Sequence, residues 1–464
     1  MQENVAGLTS PDTRALWRAE FRALLALGLP LAGSQLAHVA ISTTGVVMLG
    51  WLGADALAAG GLGFSVYFAP FMFCNGVAVA VAPLVSQAVG RRDDAAVHAI
   101  VRQGFWTSSA VGLVLAIPIW FAKPILLLIG QDPQVTAAAE PFTRVMALGL
   151  LPAVWFTVLR SYIAAMGHPR VVMYVMILGF LVNAALSYVL IFGTLGAPRL
   201  GVLGSGMATS AVNVFMFGAL FVYARYAKPV RRFRATHDLF TADWPRFREN
   251  MHVGVPIGGS LVLEIGLFSA CVILMGLIGP VQIAAHQIAV QCAAITFMVP
   301  LGLSHGATIR VGYAAGRGDG PGVRRAAWAA LALAVGFMCL TAAMFALIPE
   351  TIARLFVDAT NPVNAPVLEL AVSFLLIAAI FQIVDGAQAV GAGTLRGLKD
   401  TRIPMLLSAV GYWGVGFTAA VVLGFPLGLG GVGIWIGLAL GIAAAAILLV
   451  YRFDRLSARF GARP

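Results

Sequence analysis

The chain has 464 residues, 60% hydrophobic and 11% charged, with a net charge of +11 and a mean hydropathy of +0.91. A soluble domain with so little polar surface could not solvate itself, so the composition excludes an ordinary globular protein and puts most of the chain in a bilayer. The positive charge does not signal a nucleic-acid surface, because the basic residues are dispersed over seven loops and tails with little aromatic interleaving.

The first residues, MQENVAGLTSPD, have neither a basic start nor a short apolar core, and no cleaved signal peptide is expected. A helix needs about 20 apolar residues to cross a hydrocarbon core of about 30 Å. Twelve stretches qualify in chain order: 23–49, 57–84, 99–122, 142–165, 171–193, 202–224, 254–279, 283–309, 326–348, 368–393, 404–424 and 430–451. The predicted fold is all-α and integral to the membrane. It comprises a cytoplasmic segment (1–22), an N-lobe of helices 1–6 (23–224), a basic cytoplasmic linker (225–253), a C-lobe of helices 7–12 (254–451) and a cytoplasmic tail (452–464).

An even number of spans returns both termini to one side. By this reading 26 of the 30 basic residues share that side, among them Arg160, Arg310 and Arg396 as loop flanks, Arg232 and Arg234 in the linker and Arg463 in the tail. The opposite side keeps only Lys123, Arg144, Arg199 and Arg354, so both termini are placed in the cytoplasm, as for a bacterial inner-membrane protein. Cys74, Cys271, Cys292 and Cys339 fall inside spans without CxxC spacing and read as small buried apolar residues.

The two halves repeat. Gly28 to Asp93 aligns without gaps with Gly254 to Asp319 at a constant offset (254 − 28 = 226): GLPLAGS faces GVPIGGS, AVGRRD faces AAGRGD, and Phe71–Met72 face Phe297–Met298. Further on, GHPR (167–170) corresponds to GLKDTR (397–402) and GSGM (204–207) to GVGI (431–434). A repeat of six helices makes the copies parallel and related by an axis along the membrane normal. Two such halves enclose a central cavity and alternate its access, which implies transport.

An ionisable group deep in a span is expensive and therefore a site candidate. Glu264 in helix 7 and Asp385 in helix 10 each lie about 12–15 Å from the cytoplasmic boundary at 1.5 Å per residue, and can share one layer. Two carboxylates there can share a proton or jointly ligate Na⁺; each could instead be a buried acid bonded to backbone or to a glutamine. Gln282, His286, Gln287 and Gln291 open helix 8; Gln287 and Gln291 share a face that can present amides beside the acids, while His286 and Gln291 fit a helix-packing seam equally well. His305 reads as packing, and the repeat sets His38 opposite Glu264. The chain lacks HExxH, a P-loop and a Gly-x-Ser-x-Gly elbow, so it is read as no enzyme, with no cofactor beyond a coupling ion.

Two segments then carry a family resemblance. VGVPIGGSLVLEIGLFSACVILMGLIGPVQIAAHQIAVQCAAITFMVPLGLSHGATIRVG (253–312) resembles helices 7 and 8, and IVDGAQAVGAGTLRGLKDTRIPM (383–405) helix 10 and its following loop, of the NorM-type branch of the multidrug and toxic compound extrusion (MATE) family. The resemblance covers nearly the whole chain. It implies an antiporter that exports lipophilic, often cationic drugs and dyes against Na⁺ or H⁺, acting as a monomer, with Glu264 and Asp385 as its cation site. It also implies that Gln287, Ser65, Phe268 and Phe297 approach cation or drug, aromatic faces contributing about 0.5–2 kcal/mol. Relatives carry an acid in helix 1, in D-x-x-M-x-G, where this chain has Gly45 in GVVMLG; any N-lobe role passes to His38, Gln35 or Asn75. The alternative, a lipid-linked oligosaccharide flippase of the same superfamily, should place arginines in the cavity, and no predicted span has a central one.

Overall fold

The structure, a computed structural model, describes residues 13–231, 233, 238, 241–358 and 361–460. The regular elements among them are all helical, as a bilayer demands: without water in its core, each backbone N–H and C=O must be satisfied within its own helix. Twelve helices are long and apolar enough to cross, namely α1 (Thr13–Leu52), α2 (Ala54–Gly90), α3 (Asp94–Trp120), α4 (Pro133–Ala165), α5 (Pro169–Phe192), α6 (Val202–Tyr226), α7 (Trp244–Ile278), α8 (Pro280–Gly316), α9 (Gly320–Leu347), α10 (Pro362–Gly397), α11 (Arg402–Gly424) and α12 (Gly430–Ala458). Each overlaps one apolar stretch read from the sequence.

Several run past those stretches, because a helix ends where its backbone is capped and not where its side chains turn polar. Asp93, Asp132, Asp243 and Asp319 each accept hydrogen bonds from the first-turn N–H groups of α3, α4, α7 and α9. As a result α7 begins ten residues before 254 (254 − 244) and α10 continues to Gly397. Arg160, Arg310 and Arg396, read as loop flanks, are helical residues of α4, α8 and α10, with Arg396 in the last turn before the loop. Cys339 is likewise a correction: it is exposed, while the other three cysteines are buried. A small apolar side chain loses nothing by facing outward on a helix meant for lipid. Residues 1–12, Arg232, Arg234 and Arg463, on which parts of the terminal and linker reading fell, lie outside the described residues.

Packing reproduces the repeat. In the N-lobe α2 lies on α4, α4 on α6, α1 on α5, α3 on α4 and α5 on α6; adding six to each number gives the C-lobe contacts. Between lobes α1 packs on α8 and α2 on α7, α3 touches α7 as α9 touches α1, and α2 meets α8. These pairs also exchange under the same operation, which is the signature of a two-fold relation between parallel copies.

The seam explains which residues the repeat preserves. A Cβ on Gly76 would run into the backbone of Gly258, and one on Gly302 into that of Ala32; these are one contact seen twice, because 226 added to 76 and 32 gives 302 and 258. Gly28 meets Leu303 as Gly254 meets Val77. Gly90 and Gly316, the glycines of the two AxGRxD motifs, touch each other, and the aspartates of those motifs are the caps of α3 and α9. Small residues let helix backbones approach closely where lipid supplies no hydrophobic drive between helices.

All of these cross-lobe approaches lie in the half of each helix nearer the described termini. So do the cross-lobe hydrogen bonds, from Gln87 Nε2 to Gly397 O (2.8 Å) and from Asn250 Nδ2 to Ile100 O (3.1 Å). A bidentate pair joins them: Arg310 Nε and Nη2 donate to Glu20 Oε1 and Oε2 at 2.8 and 2.7 Å. Eleven residues farther along the seam faces (76 − 65 and 302 − 291), about three turns, stand Ser65 and Gln291, both exposed. The lobes enclose a cleft that is closed at the end of the termini and open at the other.

Candidate functional site

Two stripes of side chains meet inside the C-lobe beside the base of the cleft. On α7, Ile257, Ser260 and Glu264 recur at intervals of three and four residues, and on α10 Gln388, Ala392 and Arg396 recur at four, so each set shares a helix face. Together with Thr401, Pro404, Ser408 and Tyr412 they line one pocket. Over Val410–Phe417 helix α11 opens into wider i→i+5 turns, a rare geometry that concentrates at functional sites. Tyr412 lies in that stretch, and its hydroxyl accepts a 2.5 Å hydrogen bond from Gln388 Nε2. Gln388 Oε1 remains buried without a partner.

Asp385 stands one turn along α10 from Gln388 and is 6% exposed. It lies within electrostatic range of Glu264, although it is not among the residues that line the pocket. Neither carboxylate makes a hydrogen bond or ion pair with another group among the described residues. The reading of each as an acid satisfied by backbone or glutamine is not what the geometry provides. A buried Asp385 beside a half-buried Glu264, left in this state inside a membrane span, is costly unless a proton or cation joins them. The donors lining the pocket are oxygens, from Glu264, Ser260, Tyr412 and the orphaned Gln388 amide, with Asp385 one turn away on α10, a set suited to a hard monovalent cation or a proton. Among the described residues no three His, Cys, Asp or Glu side chains group as metal ligands.

The pocket holds a third charge. Arg396 lines it with Glu264 and acts on that carboxylate, yet forms no hydrogen bond or salt bridge among the described residues. Hydropathy hid it, since the apolar stretch ends at 393 while the helix does not.

The other candidate residues are more scattered. Phe268 lies one turn beyond Glu264 on α7 and packs edge-on against Phe381 at 6.2 Å; Phe297 is half-buried on α8. Gln287 and Gln291 are exposed and absent from the pocket lining, with Gln291 on the cleft face. Gln388 fills the place beside the acids that the sequence reading gave to them. His286 belongs to packing: 1% exposed, it sits 5.6 Å from the ring of Trp435. Ser65 faces the cleft, and its hydroxyl donates to Leu62 O at 2.7 Å.

In the N-lobe several of the polar groups pair with one another. Arg160 Nη1 donates to Gln35 Oε1 at 2.7 Å, and Thr157 Oγ1 to Asn75 Oδ1 at 3.0 Å. His38 stacks on Phe71 at 6.2 Å, which stacks on Tyr67 at 5.4 Å. His305 lies within reach of the charges of both Arg160 and Arg396, one from each lobe. Asn183 and Ser187 on α5, buried with no partner for any side-chain polar atom, were missed; their only signal was a polar pair at i, i+4 in an otherwise apolar helix.

Comparison with known proteins identifies the family and the fold. The MatE family model matches residues 30–189 and again 256–422, and the two starts differ by the repeat offset (256 − 30 = 226). A "Probable multidrug resistance protein NorM" of Rhizobium meliloti (strain 1021) is 45% identical over 450 residues, covering 97% of this chain and 96% of the relative. Its namesake in Agrobacterium fabrum (strain C58) is 42% identical over 460 residues, 99% of each. Among solved structures, a MOP superfamily transporter from Pyrococcus furiosus superposes with a TM-score of 0.87 at 20% identity, over 98% of this chain and 100% of the other. An outward-facing multidrug resistance MATE transporter superposes at 0.84 and 20%, with the same coverage. At such identity the likeness establishes the fold.

Proposed function

The chain belongs to the MatE family, and from that premise we propose that it exports lipophilic, often cationic drugs and dyes in exchange for Na⁺ or H⁺ taken up at Glu264 and Asp385. That it is a multi-pass membrane transporter of the NorM multidrug-efflux type follows from its family and relatives. The coupling ion and its site are our reading. One observation carries it: the buried Asp385 and the half-buried Glu264, interacting electrostatically and without a hydrogen-bond or ion-pair partner among the described residues, lie beside the closed base of an inter-lobe cleft.

The mechanism is linkage. A ligand shifts a two-state equilibrium only by its differential affinity for the two states. With the basic end of the helices cytoplasmic, the described state opens outward. A cation arriving from outside neutralises the acids, a cationic drug loses its attraction to them and leaves, and the loaded carrier rocks inward about the glycine seam. The chain acts as a monomer in the bacterial inner membrane, since the cleft lies between the two lobes of one chain and needs no second copy.

Two arginines near the cleft base bear on the flippase alternative. Arg160 is held by Gln35, and Arg396 faces Glu264, so neither is presented as a free clamp for pyrophosphate. The test is dye or drug efflux from proteoliposomes under an imposed Na⁺ or pH gradient, each alone. The gradient of the coupling ion, Na⁺ or H⁺, should drive transport in the wild type and fail to do so in Glu264→Gln and Asp385→Asn; undiminished gradient-driven efflux by both variants would remove the site.

A further inference from the structure

We infer that Arg396 sets the coupling ratio: its fixed positive charge, in the same pocket as Glu264, already compensates one of the two carboxylates, so the site takes up one monovalent cation per transport cycle. The inference rests on the reading of Glu264 and Asp385 as the coupling site.

Arg396 follows Asp385 by eleven residues (396 − 385), which is about three turns, so both lie on one face of α10. Gln388 and Ala392 lie between them on that face, and α7 presents Ser260 and Glu264 opposite. The polar stripe thus holds two negative charges and one positive charge, a net charge of −1 with both acids ionised. A guanidinium is always charged, so the positive member does not switch off.

The surrounding charges do not alter the count. Lys399 and Arg246 pair with Glu249 at 2.6 and 2.7 Å, Arg452 pairs with Asp400, and Arg402 is exposed. Arg160, from α4 of the other lobe, is bonded to Gln35 and acts on His38 and His305, whereas Glu264 feels Arg396. His305 of α8 and Tyr412 of α11 are the remaining ionisable groups near Arg396. Among the described residues no other permanent cation acts on Glu264 or Asp385, and Glu264 is the one carboxylate that acts on Arg396.

Arg396 and Glu264 share the pocket without the salt bridge that would close it. That arrangement suits a compensating charge better than a structural strut. It lowers the number of cations the acids require, yet leaves their oxygens free to bind one.

The experiment is a reversal measurement in proteoliposomes held at zero membrane potential, in which the substrate gradient that just stops net flux is read against an imposed cation gradient. A tenfold cation gradient should balance about a tenfold substrate gradient in the wild type and in Arg396→Lys, but about a hundredfold gradient in Arg396→Met, where two acids are left uncompensated. Removing one acid as well, in the Arg396→Met, Glu264→Gln double variant, should restore about tenfold. If Arg396→Met reaches the membrane but does not transport, cations bound per purified protein at saturation give the same answer. Counted with radioactive sodium and, in unbuffered solution, with a pH electrode, they should rise from about one to about two.

A wild-type ratio of two, or an unchanged ratio in Arg396→Met, overturns the inference. Coupling that survives Glu264→Gln and Asp385→Asn instead removes the site reading beneath it, so the two failures are distinguishable.

Discussion

The two lobes are one scaffold used twice, and they differ where charge is concerned. Gly76 and Gly302, Gly28 and Gly254, Gly90 and Gly316 occupy equivalent places in one seam, and Asp93 and Asp319 cap equivalent helices. The polar interiors diverge. Glu264 of the C-lobe is matched by His38, and the offset of the following loops (397 − 167 = 230) sets Trp155 opposite Asp385, its indole N–H donating to Ser109 Oγ at 2.8 Å. In the N-lobe Arg160 pairs with Gln35 and Thr157 with Asn75, whereas in the C-lobe Glu264 and Asp385 have no hydrogen-bond or ion-pair partner among the described residues. Backbone approach tolerates no drift, because a single Cβ would part the lobes; a polar site needs only one of its two copies to survive.

The largest expected effect breaks this contrast directly. Glu264→Gln or Asp385→Asn should lower cation-driven efflux from proteoliposomes by about a hundredfold or more, the scale of losing roughly 3 kcal/mol of ion affinity. His38→Gln, at the matching N-lobe position, should lower it by less than about fivefold. An equal loss in His38→Gln would mean that the lobes share the coupling task.

Next comes the latch that the repeat does not duplicate. Glu20 is 4% exposed and grips Arg310 with two hydrogen bonds across the lobes, while its repeat counterpart is Arg246 (20 + 226), paired locally with Glu249. Removing one member of a buried pair typically costs about 3–5 kcal/mol. With Arg310 30% exposed by its side chain, about 1–3 kcal/mol against the closed seam is the expectation for Glu20→Gln. Spin labels at Ser65→Cys and Gln291→Cys, across the cleft, should report a shift from the long distance of the open cleft to a shorter one. An unshifted distribution would reduce this pair to a surface contact.

The glycines should behave symmetrically. Gly76→Ala and Gly302→Ala both drive a Cβ into backbone of the other lobe, and overpacking costs about 1–3 kcal/mol. Because the two contacts are copies, the same pair of labels should shift equally in both variants. Unequal shifts would show that the seam opens along one lobe first.

Much of this was legible in the sequence because it depends on periodicity. Twelve apolar stretches, the offset of 226 and the matched depth of Glu264 and Asp385 are all counts along the chain. Arg396 was not legible, because hydropathy marks where apolar side chains stop, at 393, while the backbone of α10 stays helical to Gly397. The meaning of the paired glycines also needed distances, since a repeat reveals which residues are kept and not what they touch. Gln388 was overlooked for Gln287 and Gln291, which share a face of α8, but that face is exposed while α10 carries the stripe opposite Glu264.

The smallest effect concerns α5. Ser187 is wholly buried and its hydroxyl has no partner, with Asn183 one turn away in the same condition. If the N-lobe serves only as scaffold, Ser187→Ala removes an unsatisfied group and should be neutral or stabilise the protein by less than about 1 kcal/mol, read as a small rise in melting temperature in detergent. Cation dependence of efflux should not change. A variant that kept its melting temperature but lost its response to a Na⁺ or pH gradient would place an ion in the N-lobe after all, and the asymmetry between the lobes would then be one of affinity and not of function.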